Sequence, residues 1–226
     1  MAKDQYENMC AAMESQIAVN EGGHEKVIRL EQSLYSLQNS TNFSLTIKAY
    51  MAVNGLSKQM FAASTNKDGS EYMCKGPMGK SLGVARSGQH LAFGAGTGAI
   101  TFMDLSAYVA RFVMGEVVDE VDALKLEDDF KFTFYVTYFN RNQSCGLRLL
   151  ELLQQLKSMH FELVLRLSDQ KSRRWDKGFL EERLPATCEK LWICGTPMMN
   201  EVFEKAFHNL APQFPYLKDL EVVQVL

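Results

Sequence analysis

Downstream of Ser87 the apolar residues recur with a spacing that switches repeatedly between two and about 3.6, the periods of a strand and of a helix. HLAFGAG reads as a buried strand running into a glycine turn, and MDLSAYVARFVM carries Met103, Leu105, Tyr108, Val109 and Phe112 along one helical face. FKFTFYVTYF is a β-prone strand with Phe130, Phe132, Phe134, Val136 and Tyr138 on one side. LRLLELLQQL follows as a helix and FELVLRL as a strand; the basic loop DQKSRRWDKG and the short segment FLEERL then lead to the strand KLWIC. A helix around Glu201 to Asn209 precedes a last strand, LEVVQV. Strands alternating with helices pair in parallel through right-handed crossovers, so residues 88–226 are expected to form a doubly wound α/β domain around a parallel sheet.

The upstream part is patterned differently. Eight of the 15 glycines fall between Gly69 and Gly98, a region of turns that places a junction near Ser87 and divides the chain into domains 1–87 and 88–226. FSLTIKAY, Phe43 to Tyr50, alternates apolar and polar residues and reads as a strand. In the first eighteen residues Tyr6, Met9, Cys10, Met13 and Ile17 recur at helical spacing, which predicts an amphipathic helix packed on its own domain or on a partner. Glu116 to Asp129 holds seven carboxylates and one lysine and reads as a solvated connection, or as a surface that steers a basic partner.

Charge and composition narrow the function classes. The 24 Lys and Arg against 27 Asp and Glu give a net charge of −3, which argues against a general nucleic-acid binder. Charged residues interrupt every apolar run short of the ~18 residues of a membrane span, so no transmembrane segment is expected. MAKDQYENMC has no apolar stretch behind a basic flank, and the expected location is intracellular: cytoplasmic, or in an organellar or ciliary complex. Five cysteines without zinc-type spacing suggest neither a disulfide framework nor a metal site.

Two motifs follow strands and precede helices, where open parallel sheets bind ligands. In GAGTGAITF, Gly94, Gly96 and Gly98 let the backbone approach a phosphate at a helix start, or serve the turn alone; no lysine follows, so the P-loop is excluded. In WICGTPMMNEVF, a strand ends at Cys194 and Gly195 before a helix. Cys194 reads as a buried small residue or as a nucleophile, with no base assignable to it.

Taken together, the two motifs resemble the nucleotide and nicotinamide loops, GGTGITPM and CGPPPM, of the cytochrome b5 reductase-like branch of the ferredoxin reductase superfamily. FYVTYFNRNQSCGLRLLELLQQL and LRLSDQKSRRWDKGFLEERLP resemble the intervening segments of that family's nucleotide domain. Upstream, KGPMG (Lys75 to Gly79, with Gly76) resembles the turn that closes its flavin barrel, and FSLTIKAYMAVNGLSKQM the strand and Gly-x-Ser segment along the flavin pyrophosphate, with Gly55 and Ser57 at the phosphates. SLYS resembles its RxYS/T flavin motif through Tyr35 and Ser36, with Ser33 where the family has arginine. A serine lacks the charge and the paired donors that suit a phosphate; Lys26 and Arg29 are the nearest upstream cations.

The resemblance implies an FAD- and NAD(P)H-dependent oxidoreductase: a shortened, divergent antiparallel flavin-barrel-like domain preceded by a helix, then a nucleotide domain. NADH or NADPH would bind at Gly94, Gly96, Thr97, Gly98, Thr101, Gly195, Thr196 and Pro197, with Cys194 beside the nicotinamide. Tyr35 and Ser36 would hold the flavin ring, Gly55, Ser57, Gly76 and Gly79 would line its site, and Arg141 would meet the adenosine ribose or a 2′-phosphate. Electrons would pass to a protein acceptor. The competing expectation is a catalytically degenerate reductase-like subunit of a larger assembly, motivated by Ser33 and by only 32 residues before the flavin motif.

Overall fold

The computed structural model describes residues 27–29, 46–48, 55–66, 82–115 and 125–226. The helix expected in the first eighteen residues, Ser33, Tyr35, Ser36, Gly76, Gly79 and most of the acidic stretch lie outside them. The chain divides into two compact units, residues 1–80 and 81–226.

In the first unit, β1 (Val27–Arg29) pairs antiparallel with β2 (Thr46–Lys48), Ile28 opposite Ile47. The strand expected over Phe43 to Tyr50 is described only at this central part. Gly55 then leads into α1 (Leu56–Thr65), its carbonyl oxygen accepting from the amides of Lys58 and Gln59. The resemblance gives this stretch only as a Gly-x-Ser segment at the phosphates, and the helix is an addition to it. Lys58, Gln59, Met60, Ala62 and Ala63 are good helix formers, whereas no α1 residue is buried, so no apolar stripe announces it.

The second unit is α/β. Its sheet holds β3 (Gln89–Ala95), β4 (Lys131–Tyr138), β5 (Phe161–Leu167), β6 (Lys190–Cys194) and β7 (Val223–Val225), in the order β5-β4-β3-β6-β7 with every pair parallel. The chain starts in the middle at β3, builds outward through β4 and β5, then returns to lay β6 on the other side of β3. The strand order therefore reverses between β3 and β6. Helices α2 (Met103–Val113), α3 (Leu147–Gln155), α4 (Lys177–Arg183) and α5 (Pro197–Leu210) make the crossovers.

Both sheet faces are covered, which explains why the strands read as nearly continuous apolar runs. Leu91, Phe93, Tyr135, Leu191 and Ile193 meet Phe179 and Leu180 of α4 and Phe203, Ala206, Phe207 and Leu210 of α5. Phe93 stacks on Tyr135 at 4.5 Å and receives Phe203 edge-on at 4.8 Å, contacts that add about 0.5–1.5 kcal/mol each to simple burial. On the opposite face Phe102 packs edge-on to Phe134 and against Trp192. The one-sided pattern expected for β4 is corrected accordingly: Phe132, Thr133, Phe134, Tyr135 and Val136 are all buried. Likewise α2 buries Leu105, Ser106, Ala107, Val109 and Ala110, a stripe displaced from the expected Met103, Tyr108 and Phe112.

The segment entering β3 is held by two rings. Trp192 Nε1 donates to the Leu82 carbonyl oxygen at 3.0 Å, and the Ala85 amide donates to His90 Nε2 at 3.1 Å. With Nε2 accepting, the proton sits on Nδ1 and goes to the Gly88 carbonyl oxygen, 3.2 Å away. His90 is fully buried between Phe130 and Trp192. That burial drives its pKa down to about 4 and keeps the ring neutral.

Candidate functional site

Gly94 of β3 and Cys194 of β6 are register partners at the carboxyl ends of the strands that flank the reversal. Both glycine motifs therefore converge on the crevice where doubly wound sheets bind ligands.

The first turn is shaped by its glycines. A methyl group at Gly94 would lie 3.0 Å from Ala99 Cα and 3.1 Å from the Phe134 ring, so the chain folds back tightly over β3. Gly96 adopts φ +56°, in the left-handed region, and open space surrounds the position a side chain would take. Residues Gly96–Phe102 then form a 3-10 turn before α2, and no side chain caps it. The opening amides of such a turn have no partner inside it.

Gly98 ties the first motif to the second. A methyl there would overlap the Cys194 carbonyl oxygen, lying 2.6 Å from its carbonyl carbon and 3.1 Å from the Gly195 nitrogen. Gly195 in turn is closed in by Met199 Sδ and Ala95 Cβ, 2.6 and 3.2 Å from where its Cβ would stand. Thr101 Oγ1 lies 3.4 Å from the part-exposed Cys194 Sγ. Thr196 starts α5 by accepting from the Met199 amide at 3.3 Å, with Pro197 in the first turn, where a missing N–H costs nothing. The expected helix around Glu201 thus begins four residues earlier, at Pro197. The turns thus bring Gly94, Gly98, Thr101, Cys194, Gly195 and Thr196 together at the carboxyl ends of β3 and β6, with Gly96 exposed and Thr97 half-buried beside them.

Arg141 lies in the turn after β4, where Asn140 Oδ1 accepts from the Gln143 amide at 2.9 Å. Its guanidinium pairs with Glu151 of α3 at 2.7 Å and is more than half exposed. Gly55 and Ser57 stand at the start of α1, in the first unit.

Two residues that sequence reasoning passed over belong to the surroundings. Asn200, one turn into α5, buries its side-chain oxygen without a hydrogen-bond partner among the described residues. Arg166, on β5, bonds across to β4 and to the loop beyond it. Both lie inside segments quoted above, Asn200 in WICGTPMMNEVF and Arg166 in LRLSDQKSRRWDKGFLEERLP, but their roles depend on burial and on cross-strand partners that spacing does not show. Among the described residues no cluster of His, Cys, Asp or Glu could hold a metal, and no helix is long and apolar enough to cross a membrane.

The arrangement defines a doubly wound α/β domain whose two glycine turns meet at its switch point. No protein-family model matches the chain, and no curated protein matches it either.

Proposed function

We propose that the chain is an FAD- and NAD(P)H-dependent oxidoreductase of the cytochrome b5 reductase-like kind, with a shortened flavin-barrel-like domain over residues 1–87. The observation that carries this reading is the contact of Gly98 with the Cys194–Gly195 peptide, which joins the two motifs of the resemblance into one crevice at the switch point. The residues present fit a pyridine nucleotide: the open space at Gly96 and the free amides of the turn suit a pyrophosphate. Thr101 Oγ1 beside Cys194 Sγ supports a polar contact for the nicotinamide end.

Gly96, Thr97 and Gly98 bind phosphate through the backbone, and Thr196 and Pro197 fix the start of α5 so that Cys194 and Gly195 hold the nicotinamide end. Arg141 exchanges its surface pair with Glu151 for the adenosine ribose at little cost, since such pairs contribute about 0–1 kcal/mol. The cofactors would supply the hydride chemistry when bound; the protein's part is to bind and orient them. Tyr35, Ser36, Gly55, Ser57, Gly76 and Gly79 hold the flavin, and a protein acceptor in the cytoplasm takes the electrons.

Titration of NADH and NADPH into the purified chain, followed by the emission of the reduced nicotinamide, tests the nucleotide site. Saturable binding of either, abolished in Gly98→Val, is expected. A chain that binds neither refutes the reading.

A further inference from the structure

Arg166 is a charged side chain to which the reading above gives no task. It faces Thr137 of β4 in the parallel register, at the carboxyl end of β5. Its Nε donates to the Arg173 carbonyl oxygen at 3.0 Å, and its Nη1 donates to Thr137 Oγ1 at 3.1 Å and to Ser168 Oγ at 3.4 Å. One planar group thus joins the ends of two strands to the far side of the loop 168–176. Hydrogen bonds from the Ser168 amide to the Tyr138 carbonyl oxygen and from the Asp169 amide to the Phe139 carbonyl oxygen carry the β4–β5 pairing past the strand ends. At its far end the loop is anchored by Trp175, buried edge-on to Phe93 at 5.8 Å.

Between these anchors lie the exposed cations Lys171, Arg173 and Arg174. Arg173 is already engaged, its guanidinium forked onto Glu182 at 2.6 and 3.0 Å. Lys171 and Arg174 are the two cations whose place depends on how the loop is held.

We infer that Arg166 is a positioning residue for nucleotide binding: it fixes the loop 168–176 as the wall of the crevice on the β4–β5 side. The inference rests on the function proposed above. A dinucleotide whose nicotinamide end lies at Cys194, on β6, extends across the switch point toward β4 and β5, so its adenosine half meets this wall. Loop cations held in place there complement its phosphates without first having to be ordered.

The test uses the full chain, with Arg166→Gln, Arg166→Lys and the milder Thr137→Val. NADH and ADP-ribose are titrated into each, and trypsin is applied without ligand. Arg166→Gln is expected to raise both dissociation constants by about tenfold, and Thr137→Val by about threefold. Arg166→Lys, which keeps the charge and reaches part of the acceptor set, recovers a good part of the loss. Trypsin cuts Arg166→Gln faster after Lys171, Arg173 or Arg174, while the rest of the chain resists as before. Unchanged dissociation constants in Arg166→Gln, beside a binding wild type, overturn this inference alone, as does unchanged cleavage in the loop. A wild type that binds neither NADH nor ADP-ribose refutes the proposed function and this role with it.

Discussion

Gly98 packs directly on the Cys194–Gly195 peptide, with no room between them for a methyl group. Because the neighbour is backbone at the end of a central strand, it cannot swing aside as a side chain would. Gly98→Ala is therefore expected to push the two crevice loops apart and to destabilise the fold by about 1–3 kcal/mol, the usual cost of overpacking. Urea unfolding of the variant, read beside its NADH affinity, checks both consequences.

His90 gives stability a defined pH dependence. Its folded-state pKa is lowered from 6.5 to about 4 by burial, so between those values the unfolded chain binds more protons. Stability is full above about pH 6.5 and declines as pH falls toward 4. At about 1.4 kcal/mol per pH unit the loss attributable to this ring reaches roughly 3 kcal/mol. Denaturant midpoints between pH 7 and 4 should show this slope, and it should flatten in His90→Gln.

Two side chains cap the helices that carry the loops. Asp176 accepts from the Phe179 amide at 2.9 Å at the start of α4, and Thr196 from the Met199 amide at the longer 3.3 Å at the start of α5. Asp176→Ala should cost about 1 kcal/mol and Thr196→Ala less, with serine at 196 close to neutral. Thermal unfolding of the three variants orders them.

The thiols should differ in reactivity. Cys188 is buried and donates to the Lys190 carbonyl oxygen, and burial pushes its pKa up to about 12. Cys194 is partly exposed in the crevice. Iodoacetamide at pH 8 is expected to label Cys194 well before Cys188, with NADH slowing the first and leaving the second unchanged; peptide mass spectrometry reads both sites.

The readable parts of this fold are those where burial repeats. β3, β4 and β6 stand out because two covered faces demand long apolar runs, the edge strand β5 is buried only at Phe161 and Leu167, and the glycine turns stand out because backbone packs on backbone at Gly98. α1 carries no such signal, since none of its residues is buried. β7 is shorter than LEVVQV suggests because the Val222 and Val223 amides turn back to the Asp219 carbonyl oxygen, so the register with β6 starts only at Val223. The pairing of Gly94 with Cys194 and the reach of Arg166 across to Thr137 depend on strand order, which no local pattern encodes.

The most direct test of the proposed function is the visible absorbance of the purified chain supplied with FAD, recorded without oxygen before and after NADH and then NADPH. A flavin spectrum at near-stoichiometric occupancy, bleached by either nucleotide, is the expected result. A chain that stays colourless with FAD supplied contradicts it, and leaves a degenerate reductase-like subunit as the reading to pursue.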